Sequence, residues 1–256
     1  MDPQEDQPWF RGVHNEGYEL VPGIYRGKDV LGWEYSRDSR ADAEDMKAEF
    51  ARRAVPFLKD HQHFHEGEYL ALMQHYRYPT RLLDWTEGAL IALYFAIRAS
   101  KGARPSKPCV WMLNPSWLNS VNDALPENND KSLVRYIDYW AMKKYPEDRT
   151  VMRKYLCREE KLTAKYPVAV FPPHIDVRIV AQKSAFTIHG RKKNGFRNLA
   201  EKHQDAQIAK ILITSDSDEI WDDLVTLGVT ETKLFPDLDG LSREIQGEYG
   251  MKVVYP

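Results

Sequence analysis

One stretch of the sequence restricts the fold most strongly: the octet PTRLLDWT at 79–86 and the apolar run at 89–97 that follows it. The run contains no polar side chain except the Tyr94 hydroxyl, and its alanine content favours a buried helix over a strand. A second apolar stretch, at 108–114, has the length of a buried strand. Because one helix separates this stretch from the octet, the sequence predicts a strand, a helix and a strand in that order.

The remainder of the chain contains segments with helical and with strand-like periodicity. Helices are predicted at 41–58, 68–76, 133–145, around 220–227 and after 240, and strands at the start of 8–27 and in 168–173, 177–190 and 207–214. Strands and helices interleave at both ends of the chain, which predicts an α+β fold with a mixed or split β-sheet core flanked by helices. A single domain spanning 1–256 is expected, with a split near residue 125 as the alternative.

Charge and cysteine content exclude several classes of protein. The 36 basic and 38 acidic residues leave a formal net charge of -2, so the chain has no bulk attraction for nucleic acids or membranes. Two cysteines are too few for a disulfide framework, and the first ten residues contain no apolar segment typical of a signal peptide. No apolar run approaches the roughly 18 residues that a bilayer span needs. We therefore expect a cytoplasmic protein that does not enter membranes.

The sequence lacks the motifs of several enzyme classes. There is no phosphate loop G-x-x-x-x-G-K-[ST], no dinucleotide motif G-x-G-x-x-G, no G-x-S-x-G elbow and no H-E-x-x-H. The segment HQHFH would place His61, His63 and His65 on one side if it were extended, and histidine is a common zinc ligand. No cysteine or carboxylate is fixed to complete such a site, so an exposed connection between helices is preferred and no metal is expected.

Polar residues around the octet indicate either a capped helix or a ligand pocket. Asp84 and Glu87 have the capping-box spacing for a helix that begins near Thr86. Capping leaves four polar side chains without a partner beside the apolar run, namely His75, Thr80, Arg81 and Thr86. Such a combination of polar groups and an apolar wall is usual in ligand pockets.

Two further segments contain candidate binding residues. WFRG, at 9–12, places Arg11 on an apolar strand, where its guanidinium needs either a protein carboxylate such as Asp84 or an anionic ligand. In the predicted strand near the other end of the chain, Gln182 and Phe186 share one face, which can hold a planar ligand or face solvent.

The order of these segments resembles the FRG domain. The resemblance rests on Phe10-Arg11-Gly12, Gln74-His75, the octet, Ala92 with Phe95-Ala96, Gln182 with Phe186, and LFPDLDGL at 234–241. It spans nearly the whole chain, and the octet with its apolar helix is the most specific part. FRG domains are similar in layout to ADP-ribosyltransferases, which carry an arginine-glycine on the first strand, a hydroxyl-bearing strand before a helix, and a late strand with an acid or amide.

The resemblance implies NAD as a substrate and gives roles to individual residues. Arg11 would hold the NAD phosphates or ribose, and Gly12 would offer its backbone to the nicotinamide amide. Thr86 would take the hydroxyl position, and Gln182 would lie on the late strand. The remaining predicted NAD-binding residues are Arg81 for the pyrophosphate, Trp85, Tyr94 or Phe186 for the nicotinamide, and Thr80.

Catalysis of this reaction needs a group that stabilises the positive charge that develops on the ribose. Many such transferases carry a glutamate two residues after the acid or amide of the late strand, but Ser184 occupies that position here. Asp84 is a candidate substitute, and His75 is a candidate base for the acceptor. Together with Arg11 and Gln182, these residues form the predicted catalytic set.

The function implied by the resemblance is that of an NAD-dependent ADP-ribosyltransferase acting as a bacterial toxin or anti-phage defence effector. Its acceptor would be a nucleic acid, either RNA or DNA, or a protein, and an antitoxin or chaperone would restrain it. The tract at 191–197, with Phe196, is either a contact for single-stranded nucleic acid or a solvated loop, and the loop is preferred. The alternative function is a non-catalytic module that keeps the pocket and binds a nucleotide or a partner.

Overall fold

The computed structural model describes residues 7–26, 43–58, 64–98, 107–125, 134–137, 155, 164–251 and 253. Within them, seven strands form one sheet: β1 (Trp9–Val13), β2 (Leu82–Thr86), β3 (Cys109–Leu113), β4 (Arg135–Tyr136), β5 (Val168–Phe171), β6 (Ser184–Ile188) and β7 (Ile208–Leu212). Their order across the sheet is β4-β5-β6-β2-β1-β3-β7. Neighbouring strands are antiparallel except β4 and β5, which are parallel.

Helices flank this sheet on both faces. In the same residues they are α1 (Ala43–Ala54), α2 (Glu66–His75), α3 (Ala89–Arg98), α4 (Pro115–Ser120), α5 (Val177–Ala181), α6 (Gly195–Lys202), α7 (Ser217–Thr226), α8 (Glu231–Leu234) and α9 (Leu238–Glu248). Short 3-10 turns lie at Gly23–Tyr25 and Val55–Phe57. None of these helices is long and apolar enough to cross a membrane.

Helices α2 and α3 cover the same face of the sheet. Phe186 on β6 belongs to an apolar cluster with Leu70 of α2, whereas Phe10 on β1 packs with Ala92 and Ala96 of α3. The sheet register places Phe10 and Phe186 on one face, because both lie opposite residues of β2 that are two positions apart. The two helices therefore lie side by side above the junction of β1 and β2.

Gly12 allows β1 and α3 to approach each other closely. A Cβ atom at this position would lie 1.8 Å from the Ala92 carbonyl oxygen and 2.6 Å from the Ala96 backbone nitrogen. Any side chain would therefore overlap the backbone of the helix. Ala92 and Ala96 are fully buried at this contact, so the apolar run is the buried helix that the sequence predicts.

Strands β1 and β2 are joined at a single register pair. Phe10 lies opposite Thr86, whereas β1 has five register pairs with β3, and β2 has five with β6. Beyond Phe10 the backbones of β1 and β2 diverge, and the gap opens between α2 and α3. On the opposite face the core is continuous, because Trp9 and Trp85 pack with Trp117 of α4 and Phe196 of α6.

The α+β class predicted from the sequence is confirmed, as is the strand, helix and strand unit of β2, α3 and β3. The capping-box interpretation of the octet is wrong, since Asp84 lies in the middle of β2 and α3 begins only at Ala89. A single domain stays a prediction.

Two predicted elements are wrong in type. The segment at 177–181 is helix α5, because the Asp176 carboxylate accepts the Arg178 N–H at 2.7 Å and caps it. Gln182 therefore ends a helix and does not lie on the late strand, and Lys183 follows with a left-handed φ of 45° at the turn into β6. The helix predicted at 133–145 begins instead with strand β4, and residues 138–145 lie outside the described residues.

Candidate functional site

A cleft of about 590 Å³ opens between α2 and α3 where β1 and β2 diverge. This volume is within the range of about 300–1,000 Å³ that small-molecule sites occupy. Among the described residues, five arginines and two acids carry charge along its walls: Arg11, Arg26, Arg77, Arg98, Arg178, Glu19 and Asp84. Four phenylalanines also line it: Phe10, Phe95, Phe186 and Phe235. The composition of the cleft suits an anionic ligand that contains flat rings.

The Arg11 side chain spans the gap between the diverging strands. Its Nη1 donates to the backbone carbonyl of Asp84 at 2.6 Å and lies 3.6 Å from the Asp84 Oδ2 atom. Because β1 and β2 have no register pair at Arg11, the Asp84 carbonyl accepts a hydrogen bond from the Arg11 guanidinium where a paired strand would supply a backbone N–H. Burial lowers the pKa of Arg11 to about 10; Asp84 opposes this shift and Arg26 adds to it.

The Asp84 carboxylate is hydrogen-bonded to the protein on one side and exposed on the other. Its side chain is 54% exposed to the cleft, and Gln74 Nε2 lies 3.0 Å from both of its oxygens. Gln74 is oriented in turn by the Thr80 hydroxyl, which donates to the Gln74 side-chain oxygen and accepts the Leu82 N–H at 2.9 Å. A chain of hydrogen bonds therefore fixes the direction of an exposed carboxylate.

Gln74 is a site residue that the sequence did not reveal. It belongs to the Gln74-His75 pair of the FRG resemblance, but its long-range partner Asp84 lies on a different element. The available signal was an amide within an otherwise apolar helix face just before the octet.

The two threonines of the octet have structural partners. Thr80 belongs to the chain that orients Gln74, and its hydroxyl does not line the cleft. The Thr86 hydroxyl donates to the Gln182 carbonyl at 2.7 Å and accepts the Gly88 N–H at 3.0 Å. Gln182 Nε2 donates to the Leu234 carbonyl at 3.0 Å. The expectation that both hydroxyls lack a partner in the protein is therefore wrong.

Three of the predicted NAD-binding side chains point away from the cleft. Arg81 is buried and donates to the Tyr25 hydroxyl at 3.1 Å. The Tyr94 hydroxyl donates to Glu231, also outside the cleft. The Trp85 indole packs into the opposite core, where its Nε1 donates to Thr187 at 3.1 Å. Arg81 and Tyr94 do not line the cleft, and Trp85 does so without offering its indole nitrogen.

The other predicted site residues meet at the cleft. Arg11, Gly12, His75, Asp84, Thr86, Gln182 and Phe186 all line it. His75 Nε2 lies 3.7 Å from the Asp176 Oδ2 atom, and the imidazole is 13% exposed. Burial lowers the pKa of His75 below its usual value, despite the nearby Asp176, so the ring is largely neutral at pH 7.

A buried polar chain supports the sheet behind the Arg11 side of the cleft. Thr187 Oγ1 lies 3.3 Å from His189 Nε2, and His189 is completely buried. Burial lowers the pKa of His189 to about 3, and the charges of Arg11 and Arg26 lower it further. His189 is therefore a neutral core residue and does not reach a ligand.

A second group of charged residues surrounds Phe235. The Cζ atoms of Arg98, Arg243 and Arg178 lie 4.4, 5.3 and 5.6 Å from its ring centroid. Glu231 is 4% exposed and accepts hydrogen bonds from Arg98 and Arg243, each at 2.6 Å. This carboxylate holds α3, α8 and α9 together.

Arg178 lines the cleft, and so does Arg77, which lies outside the ring of arginines around Phe235 described above. Arg178 bonds to Asp237 at 2.5 Å. Arg77, just after α2, is exposed, lines the cleft and has a left-handed φ of 60°. Partial desolvation of its guanidinium lowers the pKa of Arg77, and the charges of Arg98, Arg178 and Arg243 lower it further. We refer to Arg77, Arg98, Arg178 and Phe235 as the Phe235 group, and to Arg11, Gln74 and Asp84 as the Arg11 group.

The histidine segment and the basic tract do not form a site in the part of the chain that the structure describes. His61 and His63 lie outside the described residues, and the described residues contain no cluster of three potential metal ligands. In the basic tract, Phe196 is 4% exposed within the core, and Arg197 pairs with Glu19 at 2.6 Å. Phe196 therefore cannot stack on a nucleic-acid base.

Comparison with known proteins supports one part of the resemblance. A family profile described as FRG domain matches residues 6–104, which include Arg11 and Asp84 but end before Arg178 and Phe235. No curated protein and no solved structure matches the chain. The match supports the FRG resemblance for the first part of the chain.

Proposed function

We propose that this protein is an FRG-domain enzyme that cleaves NAD and transfers its ADP-ribose to an acceptor. The acceptor would be a nucleic acid, either RNA or DNA, or a protein. The roles of bacterial toxin or anti-phage effector and restraint by an antitoxin or chaperone follow from the FRG resemblance alone. A cytoplasmic location is proposed from the cysteine content and the apolar patterning of the sequence.

The observation that carries the proposal is the oriented Asp84 carboxylate in a cleft lined by arginines. When the bond between nicotinamide and ribose breaks, nicotinamide leaves with the bonding electrons and positive charge develops on the ribose. A carboxylate that is already oriented by Gln74 and Arg11 stabilises that charge without reorganisation of the site. The acceptor atom then bonds to the anomeric carbon and releases its proton.

The cleft supplies the other groups that the reaction needs. Arg11 lies on its wall and can bind the anionic part of NAD, while Phe186 offers a flat apolar surface to the nicotinamide. His75 is largely neutral and lines the cleft, so it can accept the proton of the acceptor. In this proposal Asp84 takes the place of the late-strand carboxylate, because Gln182 is engaged with Leu234 and Thr86.

The proposal is tested by incubating the purified protein with NAD labelled in the adenylate part, separately with RNA, DNA and protein pools. Label should enter one pool, with release of free nicotinamide. Asp84→Asn and Arg11→Ala should abolish or greatly reduce transfer. Asp222→Asn and Arg53→Ala are matched controls, because both residues are exposed and lie on helices outside the cleft.

Two results would contradict the proposal. If NAD neither binds nor loses nicotinamide in any mixture, NAD is not the substrate. If Asp84→Asn transfers label as fast as the unchanged protein, Asp84 is not the stabilising carboxylate.

A non-catalytic binding module is the second candidate. It is favoured by Gln182, which stands where the resemblance places an acid or amide and whose side chain supports the fold. Such a module would bind NAD or a related nucleotide in the cleft and leave it intact during prolonged incubation with excess protein. Release of nicotinamide that depends on Asp84 distinguishes the enzyme from the module.

A further inference from the structure

We propose that Arg77 and Arg178 form a phosphate-binding subsite in the Phe235 group, which receives the pyrophosphate of the bound dinucleotide. That the dinucleotide is NAD rests on the proposed function, whereas the preference for a phosphate follows from the charges at this place. The resemblance gives no role to either residue, and the residue it offers as a second grip, Arg81, lies outside the cleft.

The first argument is the imbalance of charge. Arg77, Arg98, Arg178 and Arg243 lie close enough for the other three to lower the pKa of Arg77. In the described residues, the carboxylates that bond directly to these arginines are Glu231 and Asp237. Arg98 and Arg243 bond to Glu231, and Arg178 bonds to Asp237, whereas the Arg77 guanidinium has no carboxylate partner among the described residues.

The other charged and titratable groups here do not remove this imbalance. Asp176 faces His75, whose pKa remains lowered, and its carboxylate caps α5. Glu244 of α9 accepts the Thr232 N–H at 2.5 Å. The Arg77 guanidinium makes no hydrogen bond or ion pair to a described residue, and it lines the cleft where a ligand can reach it.

The second argument is the backbone of Arg77. A φ of 60° is uncommon for a residue with a long side chain, and such conformations are concentrated at functional sites. The adjoining N–H groups are used in the C-terminal turn of α2, since Arg77 N–H bonds to the Gln74 carbonyl at 2.9 Å. Tyr78 N–H bonds in turn to the Met73 carbonyl at 2.9 Å, so the left-handed backbone of Arg77 closes the end of α2 at a position that glycine usually occupies. This turn fixes where the Arg77 side chain leaves the helix.

The third argument is the geometry of the ligand chemistry. Arg178 uses its Nε and Nη2 atoms on Asp237, and it lines the cleft together with Arg77. The whole Arg77 guanidinium and the Nη1 group of Arg178 are therefore the donors left for a ligand there. Arginine forks match the oxygens of a phosphate with two parallel hydrogen bonds. A pyrophosphate carries enough charge to relieve the repulsion among these arginines.

The test compares four probes: NAD, ADP, inorganic pyrophosphate and adenosine, each titrated calorimetrically at low salt. The protein should bind ADP and pyrophosphate in preference to adenosine, and affinity should fall as salt increases. In Arg77→Gly, which removes the charge and suits the left-handed backbone, ADP affinity should fall about tenfold or more, while thermal stability stays equal or rises. Arg77→Lys should recover part of the affinity. The control is Arg53→Gln, which removes an exposed arginine from helix α1 without placing a glycine in the helix.

The outcomes separate the subsite from the proposed function. ADP that binds no better than adenosine, or equally well to Arg77→Gly, overturns the subsite. NAD transfer with an unchanged KM in Arg77→Gly also overturns it and leaves the proposed function standing. ADP and pyrophosphate binding that depends on Arg77, without any NAD cleavage, supports the subsite and removes the proposed function.

Discussion

Asp84 and Glu231 are both carboxylates that bond to arginine, but the fold places them in opposite surroundings. Glu231 is buried, and its oxygens are used by Arg98, Arg243 and Tyr94. Asp84 is 54% exposed and is held on one side by Gln74 and Arg11. Hydrogen bonds to a carboxylate therefore do not by themselves indicate a ligand site. A carboxylate that is held in one orientation and remains exposed in a cleft is the better indication.

The largest effect is expected from Glu231→Gln. Removing this charge takes from Arg98 and Arg243 the buried carboxylate to which both bond, so the free energy of unfolding should fall by about 3–5 kcal/mol. Denaturant unfolding followed by tryptophan fluorescence measures the change. Glu49→Gln is the matched control, because Glu49 also accepts from two arginines, Arg52 and Arg53, but lies on the surface; a comparable loss there would contradict the distinction drawn from burial.

Asp84→Asn should show the reverse behaviour. Stability should change little because the side chain is half exposed, while the rate of ADP-ribose transfer should fall about 100-fold, as when an oriented charge-stabilising group is removed elsewhere. Rates measured under NAD saturation, together with unfolding curves of the same preparations, give both values. A variant that loses stability but keeps its rate would place Asp84 with Glu231 among the structural carboxylates.

A pH dependence of stability should arise from His189, behind the Arg11 group. Its pKa is about 3 in the folded protein and about 6.5 in the unfolded chain. Below pH 6.5 the unfolded chain takes up a proton that the folded protein excludes, so stability is lost as the pH falls towards 3. The contribution is about 1.4 kcal/mol per pH unit within this window. The free energy of unfolding should be measured from pH 7 to 5 for the unchanged protein and for His189→Gln, and below pH 6.5 the difference between the two should follow this slope. A difference that does not change with pH would show that His189 takes up its proton equally well in the folded protein.

The smallest and most specific effect is expected from Gln74→Glu. A second carboxylate beside Asp84 would repel the first, so the acidic limb of the rate profile should move to higher pH. Gln74→Ala should lower kcat about tenfold and leave the KM for NAD nearly unchanged, because Gln74 acts through Asp84. An unaltered pH profile in Gln74→Glu would mean that Gln74 does not position the carboxylate.

The parts of the fold that could be predicted from the sequence have a local cause. The alanine-rich run gives α3, and the apolar stretch after it gives β3, since length and composition suffice for buried elements. Val177–Ala181 has the β-branched residues of a strand, yet the Asp176 cap makes it a helix. The cap is a local signal, but the periodicity of a five-residue segment does not distinguish a helix from a strand.

The site was predictable only in outline. The octet indicates a pocket because polar groups gather beside an apolar wall, and Asp84 and His75 do line the cleft. The partner of Thr86 could not be found in the sequence, because Gln182 lies on a distant segment. The three arginines around Phe235 come from α3, α5 and α9, and Arg77 follows α2, so no spacing along the chain connects them.

The single register pair of Phe10 and Thr86 has a mechanical consequence for the cleft. One wall consists of α3 locked to β1 through Gly12, and the other of α2 packed on β6, while the core on the far face is continuous. A change in the twist between β1 and β2 would therefore widen or narrow the cleft without opening that core. Arg11 bridges the two strands at this point, so the residue that we propose binds NAD would also limit how far the walls can separate.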